Sequence, residues 1–299
     1  MHNLLDPTFD VVFKLLFTRG PKSDAALRGL LTAVLAPAKP IVAVRVRNPK
    51  LAVAEVDDKS SILDLLLELA DGTKIDIEMQ VRGEEGFRER ALWYWAKLFG
   101  GQLVRGGDYA KLRPAISILF LGYRELDGDH VHSVFHILNA HGEHKRLTDA
   151  FEMHVIELPK LQGPAGGLDP DRTGDAEVAL LRWSRFFAAK TDEALKAAAM
   201  SDPAIQQAHD VLEELSADPE VRLLVQHREQ SKQAYRLAMS AALDKGRSEA
   251  LGHARAAVLK ICELVGITPT DEQRAELDRL DGAGIDALTA RLVEDRRWA

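Results

Sequence analysis

The chain holds a single cysteine, Cys262, in 299 residues. One thiol excludes a disulfide framework and a cysteine-rich zinc site, and it fits a reducing compartment, so a cytoplasmic location is expected. No apolar run reaches the roughly 20 residues that span a bilayer. Asp6 and Asp10 interrupt the first segment, where a secretory signal needs an unbroken apolar stretch. No membrane association is therefore expected. Positive charge is not in excess: the formal net charge is −7, which argues against broad coating of nucleic acid. The glycine-rich stretches lack a phosphate-loop lysine, so no nucleotide cofactor is expected. Neither a nucleophile elbow nor a cysteine-protease signature is present, and there is no regular internal repeat.

What is present is the composition of a folded, water-exposed protein, 46% hydrophobic and 28% charged. The acidity is uneven. Residues 1–160 carry 21 basic and 22 acidic groups, against 18 and 24 in residues 161–299.

Periodicity divides the chain in two. Phe9, Val12, Phe13, Leu16 and Phe17 have helical spacing after Asp6-Pro7. A second helix is expected from Asp24 to Leu35, ahead of Pro37 and Pro40. Strands are expected at Ile41–Val46, Val53–Val56, Ala115–Tyr123, Val131–Leu138 and His154–Leu158, with a helix from Phe87 to Val104. In that helix Leu92, Trp93, Trp95, Leu98, Phe99 and Leu103 read as inward-facing. Gln162–Gly174 concentrates glycine, proline and aspartate and marks a boundary. Beyond it only helices are expected, including Pro219–Leu243 and Ala254–Val265 with Gly246 and Gly252 loosening the chain between them, and a capping box at Thr270–Gln273. The reading is an α/β domain at 1–162 and an α-helical region at 175–299.

The most informative stretch is Ser61–Arg82. Leu63, Leu65, Leu67 and Leu69 alternate with Asp64 and Glu68, and Ile75, Ile77, Met79 and Val81 alternate with Asp76, Glu78 and Gln80. Period-two alternation puts each set on its own face of a strand. A three-residue loop Ala70-Asp71-Gly72, with glycine left-handed, sets Glu68 against Lys74, Leu66 against Asp76 and Asp64 against Glu78. A two-residue Asp-Gly turn would slip the register by one and mix polar with apolar on both faces. Facing carboxylates repel unless a cation lies between them, and a hard divalent cation takes such oxygen ligands.

The order helix, strand, acidic hairpin, helix, strand is that of restriction-endonuclease-like enzymes. The chain resembles the Rpn family of recombination-promoting nucleases, also called PD-(D/E)XK family transposases. The resemblance rests on DVVFKLLF (Asp10–Phe17), DDKSSILDLL (Asp57–Leu66), IDIEMQ (Ile75–Gln80), RERALWYWAKLF (Arg88–Phe99) and FEMHVIELPK (Phe151–Lys160). It covers residues 6–160 closely and the helical tail loosely.

The resemblance implies an α/β restriction-endonuclease-like (PD-(D/E)XK) core with a helical C-terminal region, and a metal-dependent endonuclease acting on DNA. Asp64 and Glu78 match the two acids that hold Mg²⁺, or alternatively Mn²⁺. Gln80 stands where the wider superfamily carries lysine; its amide can orient water or a phosphate oxygen but brings no charge. Lys59 is a candidate to supply that charge, Asp10 a candidate to assist the metal, and Arg90 a candidate DNA contact. For Asp10 a plain i,i+4 pair with Lys14 is the favoured reading. Asp76 reads as a solvated neighbour, and Trp93 and Trp95 as core. His130, His132, His136, His141 and His144 read as surface and hairpin residues without a zinc site. Chains of this kind are expected to pair as homodimers, since a duplex has two strands. The alternative is a weakly active or inactive nuclease-fold scaffold acting through its helical tail.

Overall fold

The computed structural model describes residues 4–48, 65–163 and 174–298. Val53–Val56, Lys59 and Asp64 lie outside that set, as does most of Gln162–Gly174. The described chain forms two compact units, Met1–Arg228 and Glu229–Ala299.

The first unit is built on six strands: β1 (Val44–Val46), β2 (Leu65–Leu69), β3 (Lys74–Gln80), β4 (Ala115–Leu121), β5 (His132–Phe135) and β6 (Phe151–Glu157), in the spatial order β1-β2-β3-β4-β6-β5. The central neighbours β3, β4 and β6 run parallel, and the outer pairs are antiparallel. β4 is an apolar run because both of its faces are covered.

Helices α1 (Asp10–Leu16), α2 (Pro21–Leu35), α4 (Asp175–Ala188), α5 (Asp192–Ala199) and α6 (Pro203–Ala217) share one core with Leu65, Leu67, Ile75, Ile77, Ile118 and Phe120 of the sheet. Aromatic rings join these layers. Phe13 of α1 meets Phe17, Phe187 and Phe120 at 5.3, 5.5 and 6.3 Å between centroids. α2 approaches α6 so closely that a Cβ on Gly29 would sit 2.2 Å from Ala204 Cβ. The opposite face of the sheet is covered by α3 (Phe87–Gly100), whose Phe87 and Ala91 pack with Leu119, Leu121, Phe151, Met153 and Val155.

Several boundaries differ from expectation for identifiable reasons. α2 starts at Pro21 because proline lacks the N–H that a first helical position leaves unused. α7 (Pro219–Val265) is continuous, so Gly246 and Gly252 do not interrupt it; a single glycine costs a helix only about 1 kcal/mol. α3 keeps Trp95 inside, its indole N–H bonded to the Ala115 carbonyl at 2.8 Å, but leaves Leu92 and Trp93 on the solvent side. Positions 87, 91, 94, 95 and 98 face the sheet, and 92, 93, 96 and 97 fall on the other side of the cylinder.

In the second unit, Val258 and Cys262 of α7 pack with Leu277 of α8 (Asp271–Leu277), with Ile285, Leu288 and Leu292 of α9 (Gly282–Glu294), and with Trp298. Both reciprocal bonds of the Thr270–Gln273 capping box are formed. Arg255 closes the end of α8 by donating to the carbonyls of Leu277, Asp278 and Leu280. Burial pushes the Cys262 thiol above its ordinary pKa, which keeps it protonated and unreactive.

Candidate active site on the acidic face of β3

The β2–β3 hairpin has the register that the alternation requires. Leu65 pairs with Ile77, Leu66 with Asp76, Leu67 with Ile75 and Glu68 with Lys74. The three-residue loop sets it: Leu69 N–H donates to Thr73 O at 3.0 Å, Gly72 N–H to Leu69 O at 2.9 Å, and Gly72 has φ +89°. That conformation is open to glycine at little steric cost. Lys74 Nζ reaches Glu68 Oε2 across the strands at 2.6 Å and holds that carboxyl below its ordinary pKa.

Ile75 and Ile77 turn into the core, so Asp76, Glu78 and Gln80 project from the face that α3 covers. Parallel pairing places Ser117 beside Asp76, Leu119 beside Glu78 and Leu121 beside Gln80. Asp76 is 4% exposed and Glu78 8%. Asp76 is thus a buried residue and not the solvated neighbour expected from alternation alone. Alternation identifies a face of the strand; α3 then decides that this face is shielded.

Gln80 occupies the last position of β3. Its Oε1 accepts from Arg90 Nη2 at 2.7 Å, and its Nε2 donates to Arg82 O at 3.0 Å. Arg90 comes from the first turn of α3 and also binds Glu84 through Nη1. Burial opposes the charge on Arg90, yet the bond to Glu84 and the fields of Glu84 and Glu78 hold its pKa above the ordinary value. The guanidinium is therefore a fixed positive charge within the field of Glu78. Nearby, burial, reinforced by Glu125, pushes the Tyr123 phenol above its ordinary pKa of 10.0, and its ring packs edge-on to Phe87.

Two features hold β3 against β4 at this end. Gly122 N–H donates to Gln80 O at 2.8 Å. A Cβ on Gly122 would lie 2.7 Å from Val81 O, so only glycine lets the chains approach this closely.

Asp10 has partners on its own helix and on α7. Its Oδ1 accepts the Val11 N–H at 2.8 Å, and its Oδ2 pairs with Arg228 Nε at 3.2 Å. Both side chains of that ion pair are largely buried. Lys14 is itself buried.

His130, His141 and His144 are exposed as expected, whereas His132 is buried. His132 and His154 are buried and stacked, centroids 5.1 Å apart, with 2.9 Å between His132 Nε2 and His154 Nδ1. Glu152, which sequence reasoning passed over, anchors His154 Nε2 at 2.8 Å. His154 pairs beside Ile118, a core residue of the face opposite Glu78. Among the described residues the group with metal-ligand spacing is His209, Asp210 and Glu213 on α6. Asp210 there already accepts from Gln206 and faces Lys22, and α6 packs on the core face rather than beside Glu78.

The profile of the PD-(D/E)XK nuclease family transposases matches residues 7–242. The chain belongs to that family. The match takes in the whole sheet, α1 to α6 and much of α7, and it includes the acidic hairpin and α3. No curated protein and no solved structure matches the chain. The mixed α/β sheet agrees with a nuclease-like fold of this family. No helix among the described residues is long and apolar enough to cross a membrane.

The donor chemistry of the β3 face fits the divalent metal that nucleases of this family generally use. Two buried carboxylates, Asp76 and Glu78, project from one face of one strand and offer hard oxygen donors.

Proposed function

We propose that the protein is a metal-dependent DNA endonuclease that hydrolyses phosphodiester bonds. The observation that carries this reading is the pairing of a shielded carboxylate, Glu78, with a positive charge, Arg90, which lies in its field and bonds the last residue of its strand. Glu78 would hold Mg²⁺ or Mn²⁺ together with Asp64. Asp64 enters on the sequence alone, where alternation and the three-residue loop are expected to set it against Glu78. A bound divalent cation supplies charge neutralisation at the scissile phosphate and a more acidic water.

The remaining work falls to this chain's own groups. Gln80 donates one amide hydrogen to Arg82 O, so its second remains to orient a phosphate oxygen or water. Arg90 brings the positive charge that glutamine lacks, and an arginine fork suits phosphate oxygens. It offers this charge beside the candidate Lys59, which lies outside the described residues. Shielding by α3 lowers the local dielectric, which strengthens each of these interactions.

One observation favours the alternative of a nuclease-fold scaffold with little activity. Arg90 is already paired with Glu84 and must loosen that bond to meet a phosphate. A plasmid assay decides between them. Supercoiled DNA is incubated with the parent chain and with Glu78→Gln, in Mg²⁺, Mn²⁺ or EDTA. Metal-dependent nicking that disappears in Glu78→Gln supports the endonuclease; nicking that survives the substitution, or none by the parent chain in either metal, overturns it.

A further inference from the structure

Trp93 is 57% exposed on the outer side of α3, and Leu92 beside it is 50% exposed. A tryptophan left in water forgoes a large burial gain, and exposed aromatics set among cations mark contact surfaces. Trp93 lies three residues, about one helical turn, after Arg90, the residue that bonds Gln80 at the end of β3. Lys97 stands one turn further on, its ammonium 4.9 Å from the Trp93 ring centroid. Tyr94 meets the indole edge-on at 5.2 Å. Cation and aromatic edge together fix the ring, so little side-chain entropy is left to lose on binding. The helix thus presents, in sequence along one side, Arg90 near the acidic site, a held indole, and a second cation.

We infer that Trp93 and Lys97 form a stacking and phosphate-binding step for an unpaired nucleotide of a nucleic-acid strand that leads into the β3 site. The inference rests on the nuclease reading for its choice of ligand. The chemistry is complementary: an unpaired base offers a π-face to the indole, and its phosphate offers a negative charge to Lys97. A purely apolar partner would leave Lys97 without a counter-charge, and a polyanion without bases would leave the indole unused.

The test is a titration of the full chain in EDTA with an end-labelled, mixed-sequence single-stranded oligodeoxynucleotide; anisotropy of the label reads affinity in every variant, and intrinsic fluorescence reads quenching in the parent. Heparin and the blunt duplex serve as comparisons. Of the four tryptophans, Trp183 and Trp298 are buried and Trp95 is bonded to the Ala115 carbonyl, so quenching reports chiefly on Trp93. The expected result is quenching by the single strand and not by heparin. Affinity should fall roughly 5- to 150-fold in Trp93→Ala, in line with the loss of one base–aromatic stack. Trp93→Phe should retain most of the affinity, whereas Trp93→Leu should behave like Trp93→Ala, which a merely apolar contact would not do. Lys97→Met should lower the slope of log affinity against log salt by about 0.7, one phosphate on a single strand. Unchanged affinity in Trp93→Ala, with its melting temperature intact, overturns the inference; equal quenching by heparin does so too. Should Trp93→Ala bind like the parent while nicking still depends on Glu78, the stacking step fails and the nuclease reading stands. Should binding depend on Trp93 while the parent never nicks DNA, the nuclease reading fails and the nucleic-acid surface stands.

Discussion

Arg90 Nη2 donates to Gln80 Oε1 at 2.7 Å, tying the first turn of α3 to the final residue of β3. The bond makes a neutral side chain the holder of a guanidinium. In this chain RERALWYWAKLF supplies the cation and IDIEMQ its seat.

Arg90→Ala should therefore lower the rate of plasmid nicking by about 10-fold or more, the order expected for losing one pre-placed charged donor. Arg90→Lys should recover little of it, because an ammonium cannot serve Gln80 and a phosphate with fixed fork geometry. Full activity in Arg90→Ala would remove Arg90 from the mechanism.

Lys160 and Glu157 form an ion pair with 2.5 Å between Nζ and Oε2, and both side chains are buried. Glu157 also accepts the Glu125 and Leu126 N–H groups, at 2.7 and 3.0 Å, and so fixes the chain leaving β4. Lys160→Ala leaves a buried carboxylate without its cation, and chemical denaturation should show a loss of about 3–5 kcal/mol.

Gly122→Ala should destabilise by about 1–3 kcal/mol, because the added methyl meets backbone atoms of Val81 that cannot turn aside. Since Gly122 also bonds Gln80 O, nicking by the folded variant should fall as well.

Phe13→Ala should cost about 3–5 kcal/mol, by loss of a ring that joins α1, β4 and α4. Thermal melting of the purified variant checks this.

Glu152 gives a dependence on pH. Its bond to His154 lowers its carboxyl pKa below the ordinary 4.5, against the opposing effect of burial, with His154, His136 and Arg146 adding their fields. A depressed folded pKa means that the stabilisation is present in full above about 4.5 and is lost as pH falls through the lowered value. Melting temperatures measured from neutral to acid pH should fall less steeply in Glu152→Gln than in the parent. Parallel curves would show that Glu152 contributes nothing to acid unfolding.

Among the described residues, the sequence determined most of the elements and the register of the hairpin. Strict alternation from Ile75 to Val81 and a glycine able to take φ +89° leave one register that keeps leucine and isoleucine together, so Glu68 opposite Lys74 and Leu66 opposite Asp76 follow from period and turn chemistry alone. The family was legible too, because its five motifs are local strings. Tertiary structure decided what local periodicity does not encode. Trp93 and Trp95 are equally apolar, and only the docking angle of α3 sends one outward and the other to the Ala115 carbonyl. Asp76 reads as polar and solvated until α3 covers its face. His132 and His154 lie 22 residues apart and meet only because β5 pairs with β6. Arg90 reaches Gln80 across ten residues of chain because a turn and a helix fold back over the strand end. A strand's period fixes which side a residue takes, but what lies on that side is settled by the packing of elements distant in sequence.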